Sequence, residues 1–123
     1  MAYLADEVLD NGLSYLTTYT ENIYICNADP GGTWANIASY AIGSKSSPTV
    51  ASPSDRTAGG REVVISAFTD GSATATDDAT HYAITDDSAT KILASSTLSS
   101  TLSVTSSGSF GLESFAIGIP DPA

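Results

Sequence analysis

The residues whose side chains could most readily take part in catalysis are one cysteine and one histidine. Cys26 and His81 are each the single member of their type, and a thiol beside an imidazole can act as a nucleophile with its base. Each stands alone in its own segment, with no G-x-S-x-G turn and no second histidine for a metal. We therefore expect His81 to be structural, Cys26 to be a small buried hydrophobe, and the protein not to be an enzyme.

Two pairs of aspartates are the other candidates for a site. Asp77, Asp78, Asp86 and Asp87 offer hard oxygen ligands of the kind that calcium prefers. They do not form an Asp-x-Asp-x-Asp-Gly loop, and aspartate is common in turns because its side chain accepts hydrogen bonds from nearby backbone amides. The turn interpretation is favoured, so we expect no metal site, no cofactor and no calcium requirement.

The charge balance limits the classes of partner. The chain has 14 acidic and 4 basic residues, which gives a net charge of -10. Nucleic-acid binding needs clustered cations, whereas Lys45, Arg56, Arg61 and Lys91 are scattered singly. We expect neither nucleic acid nor membrane as a partner, since no apolar run approaches the roughly 18 residues of a membrane span. The first residues are acidic where a signal peptide is basic, which predicts synthesis in a cytoplasm.

The first secondary-structure element that the sequence predicts is a helix. At 123 residues, the chain is predicted to form a single domain, 1–123, around one core. Residues 4–18 show the best helical pattern, because five apolar residues fall on one stripe. These are Leu4, Val8, Leu9, Leu13 and Leu16.

A strand and a second helix are predicted next. Residues 22–27 are apolar on both faces, as in a strand that is covered on both sides. Thr33 is the predicted N-cap of a short helix that runs through Tyr40 and ends by Gly43. We expect Trp34 to be buried in this region, where it has three possible neighbours. These are Leu13, Leu16 and Ile37.

The rest of the chain is predicted to be a long loop followed by strands. Residues 43–60 contain little to bury, which favours a loop that serves as a contact arm. The region 61–119 has alternating apolar residues, with turns predicted at Asp70-Gly71, Asp77-Asp78, 86–88 and 107–108 and a last strand over 110–119. The fold class is therefore mainly β: an antiparallel β-sandwich or open barrel with an N-terminal helix and one further short helix.

Four stretches of the sequence resemble a group of known proteins. They are 1–13, 25–30, 81–86 and the closing pattern within 98–117. Together they are similar to small virion structural proteins of tailed bacteriophages, over most of the chain. The resemblance implies a capsid decoration (cement) protein on the outer surface of the virion head. It also implies the major capsid protein and further copies of this chain as partners, with a homotrimer favoured.

Two other functions are left open by the residues. A tail or fibre domain that binds a host-surface glycan would be favoured by an exposed Trp34 together with Tyr40 or Tyr82. An enzyme would be favoured by a solvent-lined cleft that contains both Cys26 and His81. The arrangement of these five side chains distinguishes the alternatives.

Overall fold

The protein is mainly β, as the sequence predicts. A computed structural model describes residues 3–4, 12–57 and 59–119. Within this part of the chain, two short helices accompany ten strands. In chain order the elements are β1 (Tyr3–Leu4), α1 (Ser14–Tyr19), β2 (Asn22–Cys26), α2 (Ala35–Tyr40), β3 (Ala41–Ser46), β4 (Ser54–Asp55), β5 (Arg61–Ile65), β6 (Phe68–Ala73), β7 (Asp77–Asp86), β8 (Lys91–Val104), β9 (Ser109–Leu112) and β10 (Phe115–Ile119).

Two antiparallel sheets make up the fold. The larger sheet has the strand order β1-β8-β7-β2-β3-β6-β9 and curls into a half-barrel. The smaller sheet has the order β10-β5-β4. The chain crosses between them three times, first through 47–53 and then over two-residue links at Ser66-Ala67 and at Glu113-Ser114. The predicted sandwich or open barrel is therefore confirmed in its open, curled form.

The main core lies between the two sheets and α1. It is built from the inward residues of alternating strands, because successive side chains of a strand point to opposite faces. Burial of each large aliphatic side chain stabilises the fold by roughly 1.5–3 kcal/mol. The buried members are Leu13, Leu16, Ile23, Val63, Ile65, Ile84, Leu93 and Ala94.

Two smaller clusters extend the core. One surrounds Phe110 and Ile25 towards the β9 side of the large sheet. Gly71 is required there, because a Cβ atom at this position would lie 2.5 Å from the Phe110 ring. The other cluster covers the opposite face of the sheet, where α2 places Ile37 against Ala83 and its neighbours.

The predicted helix over 4–18 is wrong at its start. Tyr3 and Leu4 form β1, in which Leu4 pairs with Ala94 of β8. Residues 5–11, which include Val8 and Leu9, lie outside the described residues. Gly12 has a φ of +68°, a left-handed conformation that does not continue a helix. The described helix therefore begins only at Ser14.

The predicted loop over 43–60 is largely attached to the sheets. Its first four residues belong to β3, and its Ser54 and Asp55 form β4. Between them, the amide of Ala51 donates to the carbonyl of Val64, and the amide of Ser66 donates to the carbonyl of Thr49. The segment pairs with β5 because the outer edge of that strand has backbone groups to satisfy.

Two predicted turns are strand residues instead. Asp70 and Gly71 lie inside β6, and Asp77 and Asp78 begin β7. The predicted last strand over 110–119 is divided into β9 and β10, which belong to different sheets. The turns predicted at 86–88 and 107–108 are confirmed to within a residue or two.

The second helix is confirmed, but its cap and its tryptophan differ from the prediction. The helix begins at Ala35, and Thr33 contributes its backbone carbonyl rather than a side-chain cap. Trp34 is only half-buried and packs in the cluster of Ile37. Leu13 and Leu16 belong to the main core, which lies on the opposite face of the large sheet. The helix ends at Tyr40 and leads directly into β3, so Gly43 does not end it.

Candidate functional site

The fold places Cys26 and His81 directly opposite each other on neighbouring strands. They are register partners in β2 and β7. Cys26 is fully buried, and burial, together with the nearby Asp29 charge, raises the pKa of its thiol to about 12. A catalytic thiol needs the opposite shift, because the thiolate is the nucleophile. The expectation that Cys26 is a buried hydrophobe is confirmed, while His81 has Nδ1 2.8 Å from the Thr80 hydroxyl.

Strand β7 separates the two aspartate pairs. Asp77 and Asp78 stand at its start, and Asp86 and Asp87 stand at its end and in the next turn. Eight or nine residue steps of about 3.3 Å place the pairs nearly 30 Å apart, too far for a shared ion. Among the described residues, no group of three or more His, Cys, Asp and Glu side chains is arranged to hold a metal.

The aspartates do accept local hydrogen bonds, although not all from amides. Asp77 Oδ1 accepts from the amide of Asp78, and Asp86 Oδ1 accepts from the amide of Ala89. Asp78 accepts from the hydroxyl of Ser103 instead. The capping role predicted from the sequence therefore holds for one member of each pair.

A network of carboxyl groups joins the turn after β7 to Glu21 and Tyr24. Burial, followed by a hydrogen bond to Glu21, raises the pKa of Asp86. Glu21 accepts from the Ser88 amide at 2.6 Å and from the Ser88 hydroxyl at 2.9 Å, and these bonds lower its pKa. Asp87 accepts from the Tyr24 hydroxyl at 2.7 Å. Burial, and then this bond, raises the pKa of Tyr24 to about 12. The network locks the turn onto β2.

An open groove that could hold a ligand lies between β8 and the β9–β10 connection. Its volume is about 540 Å³. The floor is apolar and consists of five half-buried side chains, which are Tyr82, Leu98, Leu102, Leu112 and Phe115. These side chains flank the two core clusters on the sheet's inner face. We call this surface the β8–β10 groove.

An irregularity in β8 shapes the groove. Ala79 of β7 pairs with Leu102, and His81 pairs with Thr97. Residues 98–101 therefore have only Thr80 opposite them. A bulge of this kind leaves extra residues unmatched in the ladder and redirects their side chains. Here it forms one wall of the groove.

The rim of the groove is made of hydroxyl groups and one carboxylate. The exposed members are Thr97, Ser99, Ser100, Thr101, Ser114 and Glu113. Glu113 is the only charged residue among those that line the groove. An apolar floor with a polar rim is typical of surfaces that bind a ligand or another protein.

The basic residues lie elsewhere and have local partners. Lys45 forms an ion pair with Asp70 at 3.0 Å, and Arg61 forms one with Asp55 at 2.6 Å. Arg56 donates to the carbonyl of Gly59. The described residues therefore contain no cluster of cations of the kind that nucleic-acid binding requires.

Sequence reasoning missed the groove. The alternation over 61–119 predicts strands, and Leu98, Leu102 and Phe115 within it do pack beside the core. No local pattern indicates that a bulge leaves them half exposed. The series of Ser and Thr at 95–103 around Leu98 and Leu102 is the one signal that this strand meets solvent along its length.

Comparison with known proteins gives no relative of this chain. No protein-family model matches it, and neither a curated protein nor a solved structure is significantly similar. In the part of the chain that the structure describes, no helix is long and apolar enough to cross a membrane.

Proposed function

We propose that this protein is a structural virion protein of a tailed bacteriophage, a cement protein that binds the outer surface of the head. Its partners are the major capsid protein and further copies of itself, most simply in a trimer. The observation that carries the proposal is the open edge of β10, because an unpaired strand edge is a ready surface for pairing with another chain.

Strand β10 has the features of an edge that is used for assembly. Among the described strands it pairs only with β5, on one side. Its sequence, Phe-Ala-Ile-Gly-Ile, has no charge or proline to discourage pairing. Ile119 is 39% exposed, although it is a large apolar residue. Natural proteins usually protect such edges with charges or bulges, so an unprotected edge favours addition of a strand from a partner.

The net negative charge favours assembly on a basic surface of another protein over uncontrolled self-association. A net charge of -10 keeps free chains apart and attracts them to basic patches. Repulsion between copies is overcome where a capsid subunit holds them at fixed positions. The resemblance to phage virion proteins supports the same role.

Electron microscopy of intact particles is the test of location. The proposal predicts density of this fold on the outside of the head, in groups of three. Density on the tail, or no density on particles that contain the protein by mass spectrometry, would overturn the cement assignment.

A tail or fibre domain that binds a host glycan is the second candidate, and one observation favours it. The rings of Tyr82 and Phe115 lie 4.8 Å apart in the floor of the β8–β10 groove, and aromatic faces are common platforms for ligands with one apolar face. Trp34 does not join them, since it lies on the other face of the large sheet. Binding of neutral oligosaccharides that is lost in Tyr82→Ala would support this candidate.

A further inference from the structure

The β8–β10 groove lies between strand edges that lack partners in the described fold. β9 pairs only with β6, and β10 pairs only with β5. On the opposite wall, β1 covers the outer edge of β8 at two residues, Ala94 and Ser95. Beyond them, the bulge at 98–101 is unmatched in the ladder with β7. Among the described strands, the outer edges of β9 and β10 therefore offer backbone donors and acceptors to another chain on one wall of the groove.

The floor of the groove suits side chains that project from an extended backbone. Alternate residues of a β-strand point to one side, at intervals of roughly 6.6 Å. The half-buried floor offers apolar contacts to such side chains, while the hydroxyl groups of the rim can form hydrogen bonds with polar side chains. Addition of an extended peptide uses these two features together: main-chain hydrogen bonds provide affinity, and pockets for alternate side chains provide specificity.

The charge of the groove determines whether an anionic or a cationic ligand is favoured. Glu113 is exposed, and among the residues that the structure describes no Lys, Arg or His lines the groove. The chain as a whole carries a net charge of -10. An anionic ligand would be repelled, and a segment from a second copy of this acidic chain is disfavoured for the same reason. A cationic segment is complementary to the groove.

We propose that the β8–β10 groove binds an extended segment of a partner protein, in which apolar residues alternate with lysine or arginine. The inference rests on the proposed function, in that the partner is the capsid subunit beneath the protein. The apolar side chains enter the floor between Tyr82 and Leu102, and the basic side chains face the rim near Glu113. The segment closes the gap that the curled sheet leaves open.

Peptide binding to the purified full chain tests the groove without particles. The probes are two capped octapeptides, one of alternating valine and lysine and one of alternating valine and glutamate. We expect the lysine peptide to bind and the glutamate peptide not to bind, with chemical shift changes at 97–102 and 111–116. Equal binding of both peptides, binding of neither, or shift changes confined to other surfaces would overturn the inference.

Charge reversal on the rim provides a variant that leaves the fold intact. Glu113→Lys should weaken binding of the lysine peptide about two- to fivefold, the usual effect of one exposed ion pair. Asp55→Lys makes the same change of charge on β4, at a residue that does not line the groove, and should leave the affinity nearly unchanged although it breaks the ion pair with Arg61. Equal loss in both variants would mean that net charge, rather than this groove, attracts the peptide.

Rebinding to stripped phage particles separates the two proposals. If the wild-type chain does not rebind to heads, the cement function fails, whatever the peptides do. If the wild type rebinds and Leu98→Glu rebinds equally well, the cement function stands and the groove inference fails. The control is Tyr19→Glu, at an apolar residue that is 47% exposed outside the groove. The expected result is a loss of at least tenfold in affinity, equivalent to about 1.4 kcal/mol, for Leu98→Glu alone, with both variants folded by circular dichroism.

Neutral oligosaccharides are the remaining competitor for the groove. Maltohexaose and cellohexaose serve as probes, with the same chemical shift measurement. Saccharide binding at Tyr82 and Phe115, together with no peptide binding, would assign the groove to the glycan function instead.

Discussion

At the scale of single residues, the most informative group is the buried carboxyl of Asp86. Burial and the hydrogen bond to Glu21 raise its pKa, so the folded state holds its proton more firmly than the unfolded state does. This contribution to stability is fully present below about pH 4, the unfolded pKa of aspartate. It is lost as the pH rises through the folded pKa. The contribution of Glu21 to stability depends on pH in the opposite direction, because the hydrogen bonds from Ser88 lower the pKa of Glu21.

Replacement of Asp86 by asparagine isolates this effect. Asp86→Asn keeps an oxygen for the Ala89 amide and gains a donor towards Glu21, but it cannot become charged. We expect the melting temperature to rise by a few degrees at pH 7 and to match that of the wild type near pH 3.5. Melting curves across this range provide the measurement. A lower melting temperature for the variant at pH 7 would contradict the protonation argument.

Two aromatic residues test how burial determines stability. Phe110 is 5% exposed, and its ring packs edge-on against Phe68 at 5.7 Å. Phe110→Ala should therefore cost about 3–5 kcal/mol. Trp34 is half-buried on the outer face, so Trp34→Ala should cost roughly 1–3 kcal/mol. Urea unfolding measures both values, and a larger loss for Trp34 than for Phe110 would contradict the assigned burial.

At the scale of elements, the segment 43–60 shows what a sequence pattern misses. Its many Ser, Pro and Gly residues predict a loop, but the segment supplies the ladder partner of β5. Asp70-Gly71 is misleading in the same way, because Gly71 is needed for the close approach of Phe110 rather than for a turn. Both misassignments arise from long-range contacts. Strand β2 could be predicted because apolar residues on both of its faces carry the signal locally, and most of β7 could be predicted from its alternating pattern.

Hydrogen exchange tests whether the segment is part of the sheet. The amides of Ala51, Arg56 and Ser66 all donate to backbone carbonyls in or beside this segment. We expect these amides to be protected, whereas the amide of Ser52 exchanges quickly as an internal control. Rapid exchange at all four amides would restore the interpretation of a mobile contact arm.

Because β7 separates the two aspartate pairs, we expect the stability of the protein not to depend on calcium. Addition of a calcium chelator should leave the melting temperature unchanged, because Asp77 and Asp86 already accept backbone amides. The comparison is a melting curve with and without excess calcium. A shift of many degrees would make a calcium site at one end of β7 the first structure to look for.

At the scale of the whole molecule, the protein is an acidic half-barrel with an uncharged edge and an open groove. The sequence alone predicted its fold class and its charge, since these follow from composition and alternation, and it predicted that Leu13 and Leu16 are buried. It did not predict the groove, because the bulge at 98–101 depends on how β7 and β8 meet. Both the edge of β10 and the groove present surfaces for another chain. We therefore expect the protein to stabilise a larger assembly.

Heat-induced release of DNA from phage heads measures this stabilisation. Binding to the native assembly adds RT ln(1 + [L]/Kd), about 2.7 kcal/mol at a hundredfold excess over Kd. Particles that carry the protein should therefore retain their DNA at temperatures where particles without it do not, and adding the purified chain back should restore the difference. Equal heat resistance of particles with and without the protein would contradict the cement role.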